Sequence, residues 1–184
     1  HVSTSWLSQG HIVLIAGFGL TNSLVDIDDL LTYLSGQIKK RFCLNEALIY
    51  ENVNKIDSAP DIDNRYRVNE MYCNNSTWKT VLNKLLPGTT KVMMELRGFT
   101  TERSGCIHEI KQLINVIPIE NILFVTDTEG TREDSDMCKI MRAAWEKLPL
   151  SSPNYGHEQT GFFVYEYTNN RDIAGLIHCL KQKA

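Results

Sequence analysis

The feature that most constrains this chain is a regular exchange between two hydrophobic periods. Short, continuous runs of β-favouring apolar residues recur: Ile12-Val13-Leu14-Ile15-Ala16, Ala47-Leu48-Ile49-Tyr50, Val92-Met93-Met94-Glu95-Leu96, Ile122-Leu123-Phe124-Val125 and Phe162-Phe163-Val164-Tyr165. Strands buried on both faces read this way, whereas a strand with one wet face alternates. Between the runs the spacing changes to that of a helix. Ile27, Leu30, Leu31, Leu34 and Ile38 mark one stripe over about 26–41. Asp26, Asp28 and Asp29 lie in its first turn and Lys39, Lys40 and Arg41 in its last, as the helix dipole favours. Further helices are expected from Ser76 or Thr77 to Pro87-Gly88, over about 104–117, over about 135–148, and from Asn170 through Leu180.

This β-α alternation predicts an α/β domain: three-layer, flavodoxin-like, with a five-stranded parallel sheet. Right-handed crossovers leave few topologies, and the order 2-1-3-4-5 is the one expected at this size. Two stretches interrupt the rhythm, Glu51 to Tyr72 and Pro149 to Thr160. Loops of that length inside a compact domain are often functional. Residues 1–10 read as a tag remnant or a tether to an upstream segment, and 11–184 as a single α/β domain.

Charge and motif content remove whole classes of function. Nineteen Lys and Arg stand against 22 Asp and Glu, a net charge of -3, with no basic cluster. That argues against a nucleic-acid or anionic-membrane surface. No apolar run approaches the ~18–20 residues of a membrane span. The five cysteines, Cys43, Cys73, Cys106, Cys138 and Cys179, form no C-x-x-C pair and do not combine with histidines at zinc spacing. They read as free buried thiols in a reducing cytosol. No metal and no cofactor is expected, and no G-x-S-x-G elbow, H-E-x-x-H helix or P-loop occurs.

In an open parallel sheet, ligands bind beyond the carboxyl ends of the strands. The expected topology brings Gly17-Phe18-Gly19 and the loop from Arg97-Gly98 to Ser104 to one crevice. Gly17-x-Gly19 is half of a dinucleotide fingerprint; it is also what a tight strand-to-helix turn needs. Arg97 can fork onto a phosphate or carboxylate, or pair with Glu102 or Asp127. Asp127 lies near the crevice or simply forms a turn. Arg65-Tyr66-Arg67 can contact an anion or edge a solvated loop, and Trp78 can stack on a base or anchor the core. Glu109 falls at the margin of the stripe Cys106, Ile110, Leu113, Ile114 and Ile117. Half-buried there, it would have a raised pKa and could serve as a nucleophile or a charge partner; the plainer alternative is a solvated glutamate. His108 is expected at the surface.

The segment Ser104-Gly105-Cys106-Ile107-His108-Glu109-Ile110 resembles the S-x-W-C-x-x-E-L motif of TIR domains, with Gly105 in the tryptophan position. In NAD-cleaving TIR domains this glutamate is catalytic at the nicotinamide-bearing ribose. Nucleoside deoxyribosyltransferases place a glutamate at a similar point of a related fold. The resemblance therefore implies that Glu109 is catalytic, in an NAD or nucleoside N-glycosidase. The first strand lacks the aspartate- and serine-containing TIR start.

A second resemblance covers roughly residues 60–130, on Asn64 to Glu70, Thr77-Trp78, Met94 to Phe99, Gly105 to Glu109 and Phe124 to Asp127. It is to the soluble C-terminal domain of bacterial multipass membrane proteins, which commonly carry an aspartate where this chain has Glu95. It implies a domain at the cytoplasmic face of the inner membrane, tethered through its N-terminus to a transmembrane segment. It also implies that Arg65, Arg67, Asn69, Arg97 and Glu109 surround one site. The leading expectation is a nucleotide-binding TIR-like domain whose ligand contacts are Gly17, Phe18, Gly19, Arg65, Arg67, Asn69, Trp78, Arg97, Gly98 and Asp127. The alternative is a non-catalytic sensory or self-assembly module.

Overall fold

The computed structural model describes residues 6–17, 41–128, 130–133, 135–157 and 162–166, with Gly175. The helices expected over 26–41 and from Asn170 fall outside the described residues, apart from Arg41 and Gly175. The chain divides into two compact units, His1–Leu85 and Leu86–Ala184.

Unit 1 holds β1 (Ile12–Gly17), β2 (Phe42–Cys43), α1 (Glu46–Asn54), β3 (Val68–Cys73) and α2 (Trp78–Leu85). Its sheet is parallel with the order β1-β3-β2, Ile12 pairing with Val68 and Gly17 with Cys73. The apolar run Ala47–Tyr50 is therefore not a strand. Asn45 explains why: extended at φ -150, it accepts the Leu48 N–H on its side chain at 3.0 Å and starts a helix there. That helix buries Ile49, with Val53 one turn later packed against the same core of Cys43, Met71, Cys73 and Val81. The true partner of β1 is β3, inside the stretch expected to be irregular. Asn74 opens α2, its Oδ1 accepting the Ser76 and Thr77 N–H groups, both at 2.9 Å.

Unit 2 holds β4 (Val92–Glu95), α3 (Ser104–Val116), β5 (Ile122–Thr126), α4 (Asp136–Trp145) and β6 (Val164–Glu166). Its sheet is parallel with the order β4-β5-β6. Central β5 is buried at all five positions, which is why it reads as an unbroken apolar run. Helix α3 buries Ile110, Leu113 and Ile114, and α4 buries Met137, Met141 and Ala144. Phe162 meets Phe124 and Trp145 edge-on, at 6.5 and 6.0 Å between ring centres.

The molecule is thus α/β with two three-stranded parallel sheets among the described residues. The five-stranded sheet of order 2-1-3-4-5 is corrected on two counts: the 47–50 segment is helical, and a strand at 68–73 sits between the first and second.

Candidate functional site

The carboxyl ends of β4 and β5, with the helices that follow them, bring together the densest set of expected site residues. Asp127, just beyond β5, is a two-sided clamp. One carboxylate oxygen, Oδ2, accepts the Gly98 N–H at 2.9 Å, reaching the loop after β4. The other, Oδ1, accepts the Gly130 N–H at 3.1 Å within its own loop. The turn-forming reading of Asp127 is thus realised, and the same carboxylate ties two loops into one frame. Gly98 has φ +62, a left-handed conformation that glycine adopts without steric cost.

Arg97 forks onto Glu95, a partner the sequence did not suggest. Its Nε and Nη2 donate at 2.8 and 2.9 Å to the two oxygens of that carboxylate, and its backbone N–H adds a third bond at 3.0 Å. Both side chains are about half exposed. Glu95 was not among the candidate residues. Its position two residues before Arg97, on the same side of an extended segment, was the available signal.

Below this loop, α3 begins without a side-chain cap at Arg103. Gly105, Cys106, Ile107, His108 and Glu109 are all half-buried. His108 is therefore not the surface residue expected: its Nε2 atom is shut off from solvent. After the exposed Ser104, the stretch from Gly105 to Ile110 is covered, and exposure returns at Lys111 and Val116.

Glu109 sits in this covered stretch. Burial alone pushes its carboxyl above the ordinary carboxylate range. No hydrogen bond or ion pair reaches it among the described residues. Cys106, one turn earlier, is pushed up by burial and by the neighbouring Glu109 charge, against a smaller opposing pull from Arg103. A desolvated carboxyl without a compensating partner is a recognised mark of a functional group.

Under the 127–135 loop, Thr126 is 1% exposed, and its Oγ1 has no hydrogen-bond partner among the described residues. A Cβ on Gly130 would lie 1.9 Å from that oxygen, so only glycine fits there. Ser135 caps α4 by accepting the Cys138 N–H at 3.2 Å, and donates its own hydroxyl to the Gly130 carbonyl at 3.1 Å. Ser135 is legible in the sequence as the start of a helix, but Thr126 and Gly130 are not, because a close approach between loop and strand leaves no periodic trace.

The remaining expected site residues belong to unit 1. Arg67 is engaged by Asp61, with Nε to Oδ2 at 3.0 Å, and by Asp57 at 3.3 Å. Asn69 brackets Asp57, accepting its N–H at 2.8 Å and donating to its carbonyl at 3.0 Å. Both therefore fasten the 55–67 loop. The Arg65 N–H donates to Asp63 at 3.1 Å within that loop. Trp78 is half-buried against the unit 1 core, the anchoring role, with the Lys79 ammonium 5.5 Å from its ring centre. Gly17 ends β1 opposite Cys73. Phe18 and Gly19 lie outside the described residues.

Among the described residues, no group of three or more His, Cys, Asp or Glu could hold a metal ion. No helix among them is long and apolar enough to cross a membrane. No protein-family model, no curated protein and no solved structure matches the chain.

Proposed function

We propose that the chain is a nucleotide-handling α/β domain that cleaves the N-glycosidic bond of NAD or a related nucleoside, with Glu109 as the catalytic residue. The observation that carries this reading is the half-buried Glu109 carboxyl, desolvated and unpaired among the described residues, in the covered stretch of α3 from Gly105 to Ile110. The TIR-like run Ser104 to Ile110 supplies the reaction class.

The chemistry follows from the charge. When the bond from ribose C1′ to the nicotinamide nitrogen breaks, both bonding electrons leave with the base, which departs neutral. Positive charge develops on the ribosyl ring. Ionised Glu109 stabilises that cation, and water then adds at C1′ and releases a proton. A carboxylate in a poorly solvated site is worth more against a developing cation than one in bulk water. Arg97 serves the phosphates by exchanging its Glu95 partner for a phosphate oxygen of similar bidentate geometry. The uncapped N-terminus of α3 favours negative charge in the same loop. Asp127 positions that loop through Gly98.

The test is incubation of the purified chain with NAD, and separately with a panel of nucleosides, following free base by chromatography. Wild type is expected to release base and Glu109→Ala to release none. Equal release by both would exclude Glu109, and absence of release by either would exclude the activity.

A second reading is a non-catalytic self-assembly or sensory module at the cytoplasmic face of a membrane protein. One observation favours it. Ile62 is fully exposed on a loop fastened by Asp57, Asp61, Arg67 and Asn69. Under this reading, sedimentation shows association that strengthens with concentration and is lost in Ile62→Asp. A chain that stays monomeric at high concentration counts against it.

A further inference from the structure

We propose that Cys43 and Cys73 form an oxidation site, a dithiol that closes to a disulfide when hydrogen peroxide reaches it. The two residues are register partners on adjacent parallel strands, each the last residue of its strand. Partners in register present their side chains on the same face of a sheet. Neighbouring strands lie about 4.7–4.9 Å apart, within the ~4.4–6.8 Å Cα separation that a disulfide spans. Both side chains belong to one buried core. Among the described residues β2 is an edge strand of two residues, so it can yield the small shift that bond formation needs.

The pair is asymmetric. Cys43 Sγ accepts a hydrogen bond from Asn52 Nδ2 at 3.5 Å, whereas the Cys73 thiol donates to the Met71 carbonyl at 3.8 Å. Burial, and then the Cys43 charge, push the Cys73 thiol up to about 12. The Asn52 donor at Cys43 Sγ assigns Cys43 as the attacking sulfur and Cys73 as the resolving thiol.

The step balances as follows. The Cys43 thiolate attacks one peroxide oxygen and the O–O bond breaks. Sulfenic acid forms on Cys43, and the other oxygen leaves as hydroxide, taking up a proton to become water. The Cys73 sulfur then attacks the Cys43 sulfur, the S–O bond breaks, and the second oxygen leaves as water with the Cys73 proton. Two thiols lose two electrons, and one peroxide is reduced to two waters. Cys43 and Cys73 are 0% and 1% exposed, which selects an oxidant close to water in size over a bulky disulfide. Cys106 and Cys138 are less buried and serve as internal comparators.

The experiment treats the reduced, folded chain with hydrogen peroxide, alkylates the remaining thiols, digests without reductant and maps the peptides by mass. A linked peptide pair containing Cys43 and Cys73, lighter by two hydrogens and reopened by dithiothreitol, is the expected result. In Cys73→Ala the same dose should drive Cys43 to irreversible sulfinic acid. Asn52→Leu should slow formation of the linked pair several-fold. The proposal is overturned if Cys43 and Cys73 both remain alkylatable after unfolding while Cys106 or Cys138 is oxidised. It is equally overturned if Cys43 links to another cysteine instead. The wild-type map decides the matter whether or not the variants fold.

Discussion

Gly130 shows how one residue can set a loop. Its N–H is held by Asp127, its carbonyl by Ser135, and the space where a side chain would go is filled by the Thr126 hydroxyl. Gly130→Ala should cost about 1–3 kcal/mol through overpacking against the buried, β-branched Thr126 side chain. Chemical denaturation would measure it, and adding Thr126→Ala should recover part of the loss. A neutral Gly130→Ala would mean that the loop is not pinned. Glu109 carries a pH signature of its own. Burial raises its pKa in the folded state, so the folded chain holds this proton more tightly than the unfolded chain does. Its contribution to stability is therefore fully present below the unfolded carboxylate range and is lost as pH rises through the folded value. Glu109→Gln removes that loss, so its Tm relative to wild type should increase with pH. A difference that is flat or shrinking with pH would show that the carboxyl is solvated. The margin position of Glu109 was legible from helical spacing. What the spacing did not reveal is that His108 beside it is covered too, because a helical stripe reports only one face.

At the scale of elements, the two units were legible to different degrees for a physical reason. β5, α3 and α4 make up a strand covered on both faces and two amphipathic helices, and each produced the pattern its burial demands. α1 did not. It is short, and its apolar residues Ala47, Leu48, Ile49 and Tyr50 happen to be consecutive, so they imitate a strand. The deciding signal is Asn45, the cap. Asn45→Ala should cost about 1 kcal/mol and lower helicity, as read by denaturation and far-ultraviolet circular dichroism. No change would mean that tertiary packing alone holds α1. β3 was missed because its first half is polar and partly exposed. Asn69 holds the preceding loop, and Glu70 accepts bonds from Arg41 at 2.7 Å and Tyr72 at 3.0 Å. A strand that spends its side chains on polar fastening shows neither an apolar run nor clean alternation. Arg67 and Asn69, expected as ligand contacts, fasten this loop in the folded chain.

For the whole molecule, β-α alternation correctly indicated parallel α/β architecture, while strand order depended on the misread segments and came out wrong. Function does not follow from architecture, because parallel α/β sheets host many unrelated chemistries. What distinguishes this chain is one group, a desolvated carboxyl near the start of α3, with an arginine fork in the loop leading to it and a clamped turn behind that loop. The most direct measurement is the initial rate of nicotinamide release from NAD, followed from mildly acidic to mildly alkaline pH, for wild type and Glu109→Gln. The account predicts a wild-type rate that rises with pH as Glu109 ionises, through a midpoint above the ordinary carboxylate range, and no release by Glu109→Gln. Release by Glu109→Gln at the wild-type rate, or no release by wild type at any pH, would contradict it.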